Sequence, residues 1–132
     1  MHLIYLRCVT VISLFLLAGH SHAQVSLDVK ELDKQIYFTT VRGTTSQPDT
    51  ITMETGKFSG RYTVYFEGAG RHFFSVVDPQ GKWIKMKKHE IVKLLVVFSP
   101  PASFKGETFA DLKISAPAGL RAWVHLKGTS TD

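Results

Sequence analysis

Among 132 residues there is one cysteine, Cys8. It falls inside residues 1–23, which read as a cleavable secretory signal peptide, so the mature domain would hold no thiol. Export would deliver the domain to a compartment where disulfides form, yet it could form none. Packing and hydrogen bonding must then carry the fold, and thiolate metal sites are excluded. Histidines are sparse as well. His72, His89 and His125 survive processing, and no two stand three to five residues apart, the spacing a zinc site favours. There is no Gly-x-Ser-x-Gly elbow for a nucleophile. The carboxylates Glu54, Glu67, Glu90, Glu107 and Asp111 are scattered rather than paired. Gly68-Ala69-Gly70 is half of a phosphate-loop pattern with no helix after it. No catalytic, cofactor-binding or metal-ligating residues are expected, and the chain reads as a non-enzyme.

The leader has three parts. Arg7 is the only charged residue in 1–23, residues 8–18 are almost wholly apolar, and Ser21 and Ala23 place small residues at −3 and −1 of a cut before Gln24. The apolar run is shorter than the roughly 20 residues that span a bilayer, although a retained membrane anchor is the alternative reading. Removing 23 residues from 132 leaves 109, one domain over 24–132 that can bury a core without staples. The chain carries 16 Lys+Arg and 11 Asp+Glu. Losing Arg7 leaves 15 against 11, a net charge of +4. That mild excess permits an acidic partner and falls short of a nucleic-acid signature. A secreted or periplasmic monomer is expected, free of the membrane after cleavage.

No helix is legible in the mature chain. Apolar residues alternate in short segments broken by Gly, Pro, Asp and Ser, which is strand patterning. The segments are 25–29, 35–41, 50–55, 61–67, 72–77, 82–88, 91–98, 108–115 and 120–127. In 61–67, Tyr62, Val64 and Phe66 share one face. In 108–115, Ala110, Leu112 and Ile114 do. Residues 44–49 and 99–106 read as loops, and 128–132 as a polar end. Seven to nine short strands with regular turns predict an all-β fold, an immunoglobulin-like antiparallel β-sandwich behind a signal peptide.

A dispersed set of residues carries a family likeness. Met86 is followed by Ile91, Val92, Leu94, Val96 and Phe98-Ser99-Pro100, then by Gly106, Ala110, Leu112, Ile114 and Ser115, and finally by Val124-His125-Leu126-Lys127-Gly128. Earlier in the chain stand Phe38, Val41, Gly43, Ile51, Met53 and Phe74-Ser75-Val76. Over residues 36–128 the chain resembles the immunoglobulin-like domain of the abnormal-spindle/hydin family, related to the major sperm protein fold. That domain also occurs in exported bacterial choice-of-anchor proteins. Two places depart from the family pattern. Glu54-Thr55-Gly56 stands where the family has Asn-x-Gly, and Lys88-His89 stands where it has a Pro-Gly turn. The resemblance implies a non-catalytic module that binds or scaffolds other proteins. Its motif residues are structural and carry no binding site across.

Candidate binding residues come from the alternation itself. If Ile84 and Met86 face inward, Trp83, Lys85 and Lys87 make an outward basic-aromatic stripe, suited to an acidic protein face, a sugar or an acidic polymer. Equally, lysines on an edge strand discourage pairing with other chains. Trp123 and His125 form a second outward pair, unless the N-terminal segment covers them. Ile91, Leu95 and Val97 make a third apolar row, opposite Val92, Leu94, Val96 and Phe98. The partner expected is an unidentified protein, with an acidic or polysaccharide surface as the chemistry the stripe suits. A carbohydrate-binding module using an exposed Trp is the first alternative. A periplasmic pilus-type chaperone-like domain is the second. Intact mass of the exported protein is expected to lack residues 1–23, and a membrane-bound form beginning at Met1 would identify a retained anchor instead.

Overall fold

A computed structural model describes residues 27–32, 34–57, 59–81, 83–119 and 121–132. The leader, its cleavage site and Val25 lie outside these. Nine strands are present among the described residues: β1 (Asp28–Val29), β2 (Gln35–Val41), β3 (Asp49–Glu54), β4 (Gly60–Glu67), β5 (Phe74–Asp78), β6 (Trp83–Met86), β7 (Ile91–Phe98), β8 (Gly106–Ser115) and β9 (Arg121–Thr131). They form a four-stranded sheet in the order β1-β3-β7-β5 and a five-stranded sheet in the order β2-β9-β8-β4-β6. The inward rows meet between the sheets. Ile51 and Met53 come from β3, Leu94, Val96 and Phe98 from β7, Leu112 and Ile114 from β8, and Val124 and Leu126 from β9, all fully buried.

The all-β sandwich is the fold the alternation implies, with four local corrections. First, β2 runs parallel to β9, from Gln35 opposite His125 to Val41 opposite Thr131, whereas every other pair is antiparallel. Period-two alternation specifies which face is buried and says nothing of strand direction. Second, Arg71–Phe73 is a 3-10 turn, and β5 begins only at Phe74. Gly70 makes that turn possible, because a Cβ there would lie 2.6 Å from the Thr108 hydroxyl.

Third, β6 stops at Met86. Thr55 is buried and anchors the turn that follows. Its hydroxyl donates to the Lys87 carbonyl (2.6 Å) and accepts from the Glu90 amide (2.8 Å). His89 adopts a left-handed φ of 51° within that turn. Fourth, 128–132 is not a loose end. β9 runs to Thr131, Ser130 is buried, and its hydroxyl donates to the Phe104 carbonyl at 2.7 Å. On β7 the outer row is mixed. Val97 is buried and Leu95 half-buried, while Ile91 is 61% exposed.

The centre of the core is aromatic. Phe98 lies 4.9 Å from Phe74, ring to ring, and Phe74 lies 5.6 Å from Phe38 and 6.2 Å from Phe66. On its other side the Phe98 ring lies against Gly128. A Cβ on Gly128 would sit 2.4 Å from Phe98 Cε1. Gly128 is therefore inside β9 to admit the ring, rather than to release the chain from a strand end.

Phe98→Ala is expected to cost about 3–5 kcal/mol in urea denaturation, as large-to-small core changes do. Gly128→Ala should cost about 2 kcal/mol or more by overpacking, and under about 1 kcal/mol in a Phe98→Leu background. Additive losses would mean that the ring and the glycine are not each other's constraint.

Candidate functional site

Inward rows dictate outward ones. On the five-stranded sheet, burial of Tyr62, Val64, Ala110, Leu112, Ile114, Ala122, Val124 and Leu126 turns the intervening residues of β4, β8 and β9 to solvent. The ladder registers place them in rows. Trp123 lies opposite Lys113, and Lys113 opposite Tyr65. His125 lies opposite Asp111, and Asp111 opposite Glu67. Lys127 stands between Phe109 and Tyr37, its ammonium 5.7 Å and 6.0 Å from the two ring centres. Arg121, Ser115, Thr63 and Trp83 form a row across β9, β8, β4 and β6.

Four of the large aromatic rings on this face are well exposed: Tyr37 (65%), Trp83 (51%), Phe109 (51%) and Trp123 (43%). Among them run two ion pairs, Lys113–Glu67 at 2.5 Å and Lys127–Glu107 at 3.3 Å, and a hydrogen bond between His125 Nδ1 and the Asp111 carboxylate at 2.6 Å. Its hydrogen bond to Glu67 holds the Lys113 ammonium above its ordinary pKa. Behind the face, burial raises the Tyr62 phenol in the same way that it would any desolvated acid. At the β6 end the pattern changes. The Arg61 guanidinium lies over the Trp83 ring at 4.4 Å, and Arg61 is directly opposite Lys85.

The sequence candidates are thus placed as follows. Trp83, Lys85, Trp123 and His125 come together on one face. β2 lies beside β9 in the sheet and does not cover Trp123 or His125. Lys87 stands apart, beyond the end of β6, with its amide donating to the Glu90 carboxylate at 2.6 Å. Tyr37, Phe109, Arg61 and Arg121 were not singled out in the sequence, although alternation with buried Phe38 and Ala110 already marks Tyr37 and Phe109 as outward. Their adjacency to Lys127 is a matter of register between distant segments.

A separate groove of about 420 Å³ opens between β4 and β5, with Val64, Phe66, Phe74 and Val76 in its lining. It exists because the β4–β6 ladder ends at Thr63 opposite Trp83, while β4 continues to Glu67. As for chemistry, the His125–Asp111 pair has Ser115 on its face, but Ser115 is four residues from Asp111 along β8, about 13 Å at strand rise. Among the described residues no group of three or more His, Cys, Asp or Glu could hold a metal ion. What the face offers is surface for contact.

Neither a family model nor a curated protein matches the sequence. Solved structures do resemble it. The ASH/PapD-like domain of human CEP192 (PapD-like domain 7) superposes with a TM-score of 0.51 at 18% identity, over 83% of this chain and 87% of that one. The periplasmic chaperone SfaE gives a TM-score of 0.61 at 8% identity, over 81% of this chain and 59% of that one. A family 123 glycoside hydrolase from Clostridium perfringens gives 0.59 at 9% identity, over 81% of this chain but only 27% of the enzyme. The fold is therefore an immunoglobulin-like β-sandwich of the PapD-like kind, in line with the resemblance carried by Phe98-Ser99-Pro100 and the closing Val-x-Leu-x-Gly.

Trp83→Ala is expected to lower stability by about 1 kcal/mol or less, the range of an exposed cation–π contact. A urea midpoint shift worth more than about 2 kcal/mol would make Trp83 a packing residue and remove it from the site.

Proposed function

We propose that this chain is an exported, non-catalytic immunoglobulin-like module that binds another protein through the outer face of its five-stranded sheet. One observation carries the reading: four exposed aromatic rings share that face, set among charged side chains. Trp, Tyr and Arg are the residues that anchor protein interfaces, and a polar surround that excludes water is their usual setting. With five strands about 4.8 Å apart and some eight residues per strand, the face offers on the order of 600 Å². That approaches the roughly 800 Å² per partner of a standard interface.

Sugar binding fits less well. β4 and β8 lie between Trp83 and Trp123, so about 14 Å separates the two strands that bear them. The interval holds Tyr65 and the Lys113–Glu67 pair, not a continuous aromatic platform. The chaperone-like alternative rests on fold alone, as the chain spans about three-fifths of SfaE.

A photo-crosslinking residue placed at Trp83 or Phe109 is expected to capture a specific protein in the native compartment. The same residue at Ile91, exposed on the other sheet, is expected to capture none. For the protein so captured, Trp83→Ala should weaken binding about 30-fold, the equivalent of about 2 kcal/mol. Adducts from Ile91 alone would move the interface to the four-stranded sheet.

A further inference from the structure

The outer face is not electrostatically uniform. Over β8, β9 and the end of β4, each of Lys113 and Lys127 has a carboxylate partner, and His125 has Asp111. Arg61 and Lys85, beside Trp83, and Arg121, in the same cross-strand row but on β9, have no carboxylate within ion-pair distance among the described residues. Arg61 and Lys85 are moreover direct cross-strand neighbours. Like charges placed so are destabilising in a sheet. The fold thus maintains a repulsive pair beside Trp83, and among the described residues the ring under Arg61 is what stands against it.

We infer that the partner's contact surface is acidic, a protein face whose carboxylates meet Arg61 and Lys85 beside Trp83 and Arg121 farther along the same row, three strands away. This rests on the outer-face reading above and adds the chemistry of the partner to it. Protection of a sheet edge does not account for the three cations. Lys85 is on edge strand β6, where a lysine deters strand pairing, but Arg61 is on β4 and Arg121 on β9, both interior to the sheet. A second copy of the chain is disfavoured. The face carries Arg61, Lys85, Lys113, Arg121 and Lys127 against Glu67, Glu107 and Asp111, so two copies would oppose surfaces of equal, positive net charge. An acidic glycan would meet the cations, yet a single polymer chain along their row would leave uncovered Tyr37, on edge strand β2, and Phe109, six residues from Ser115 along β8. A protein surface spans both ends.

The charge component can be tested before the partner is known. In the mature domain both tryptophans, Trp83 and Trp123, lie on the outer face and report on it by fluorescence, and poly-L-glutamate and polygalacturonate of matched charge serve as probes. Poly-L-glutamate is expected to bind at low salt and to lose about tenfold in affinity when salt screens the contacts. Lys85→Glu with Arg121→Glu should weaken it at least about tenfold. Lys30→Glu with Lys93→Glu makes the same change in net charge on the other sheet and should leave affinity within about twofold. Lys85→Gln with Arg121→Gln gives an intermediate loss and guards against a folding defect, checked by circular dichroism. Equal losses from the two Glu pairs, tighter binding of polygalacturonate, or no binding of poly-L-glutamate would each overturn the acidic-partner inference. Crosslinks from Trp83 that persist while Lys85→Glu and Arg121→Glu leave the captured protein's affinity unchanged would sink this inference and spare the outer-face reading. Absent crosslinks would sink that reading itself.

Discussion

One contact sets the parity of the last strand. The Phe98 ring occupies the space that a side chain at 128 would need, so β9 must present Gly128 inward at that level and no other residue can take its place. Side chains alternate with a period of two, and a one-residue slip would turn every one over. With Gly128 inward, Leu126, Val124 and Ala122 follow into the core, and Lys127, His125 and Trp123 are turned to solvent. Gly128 is also the level at which β9 meets Thr108 on one side and Phe38 on the other. The same contact therefore aligns Phe109 and Tyr37 beside Lys127. The face that we assign to binding depends on a ring packed in the core behind it.

A domain without disulfides needs such a centre. Phe38, Phe66, Phe73, Phe74, Phe98 and Phe104 form a continuous chain of ring contacts, with centroid separations from 4.9 to 6.4 Å. Aromatic pairs at these separations add stabilisation beyond the area they bury. Around them, polar loops act as clasps. Ser46 is buried and joins the end of β7 through both its amide, which donates to the Phe98 carbonyl at 2.8 Å, and its hydroxyl, which accepts from the Phe98 amide at 2.9 Å. A segment that is polar in sequence is thus the brace that holds Phe98 in place.

The legible part of this structure was its alternation. Ile91–Phe98 and Gln35–Val41 are strands over the very spans their apolar and β-branched residues mark, and the inward rows of β4, β7 and β8 match the pattern. Trp83 and Lys85 were legible as outward for the same reason. What alternation does not encode is pairing. That β2 runs parallel to β9, that Tyr37 shares a row with Phe109, and that Arg61 faces Lys85 are facts of register between segments far apart in sequence. Strand ends were the other weak point. Alternation makes Lys87 the last member of a stripe, but Thr55, 32 residues away, takes its carbonyl and draws the chain out of β6. Likewise 128–132 looked like a tail, since Thr and Ser alternate there without an apolar row, yet both neighbours of β9 extend its ladder.

The two halves of the outer face imply a division of labour in recognition. Exposed aromatic rings gain their energy only when a partner desolvates them, so their loss is felt mainly in dissociation. Charges at the rim act across a Debye length and are felt mainly in association. Where Lys113, Lys127 and His125 are already paired, an approaching surface meets little net field. Where Arg61, Lys85 and Arg121 are unmatched, it meets a positive one. On the proposed reading, the unmatched charge would bias approach toward the Trp83 row of the face. Trp83 belongs to both halves: its ring is exposed for contact, and the Arg61 guanidinium stacked on it sets a cation directly beside an aromatic ring at the margin of the face. A carboxylate arriving there would find Arg61 already oriented against the ring, so less side-chain freedom remains to be lost on binding than at a mobile surface arginine.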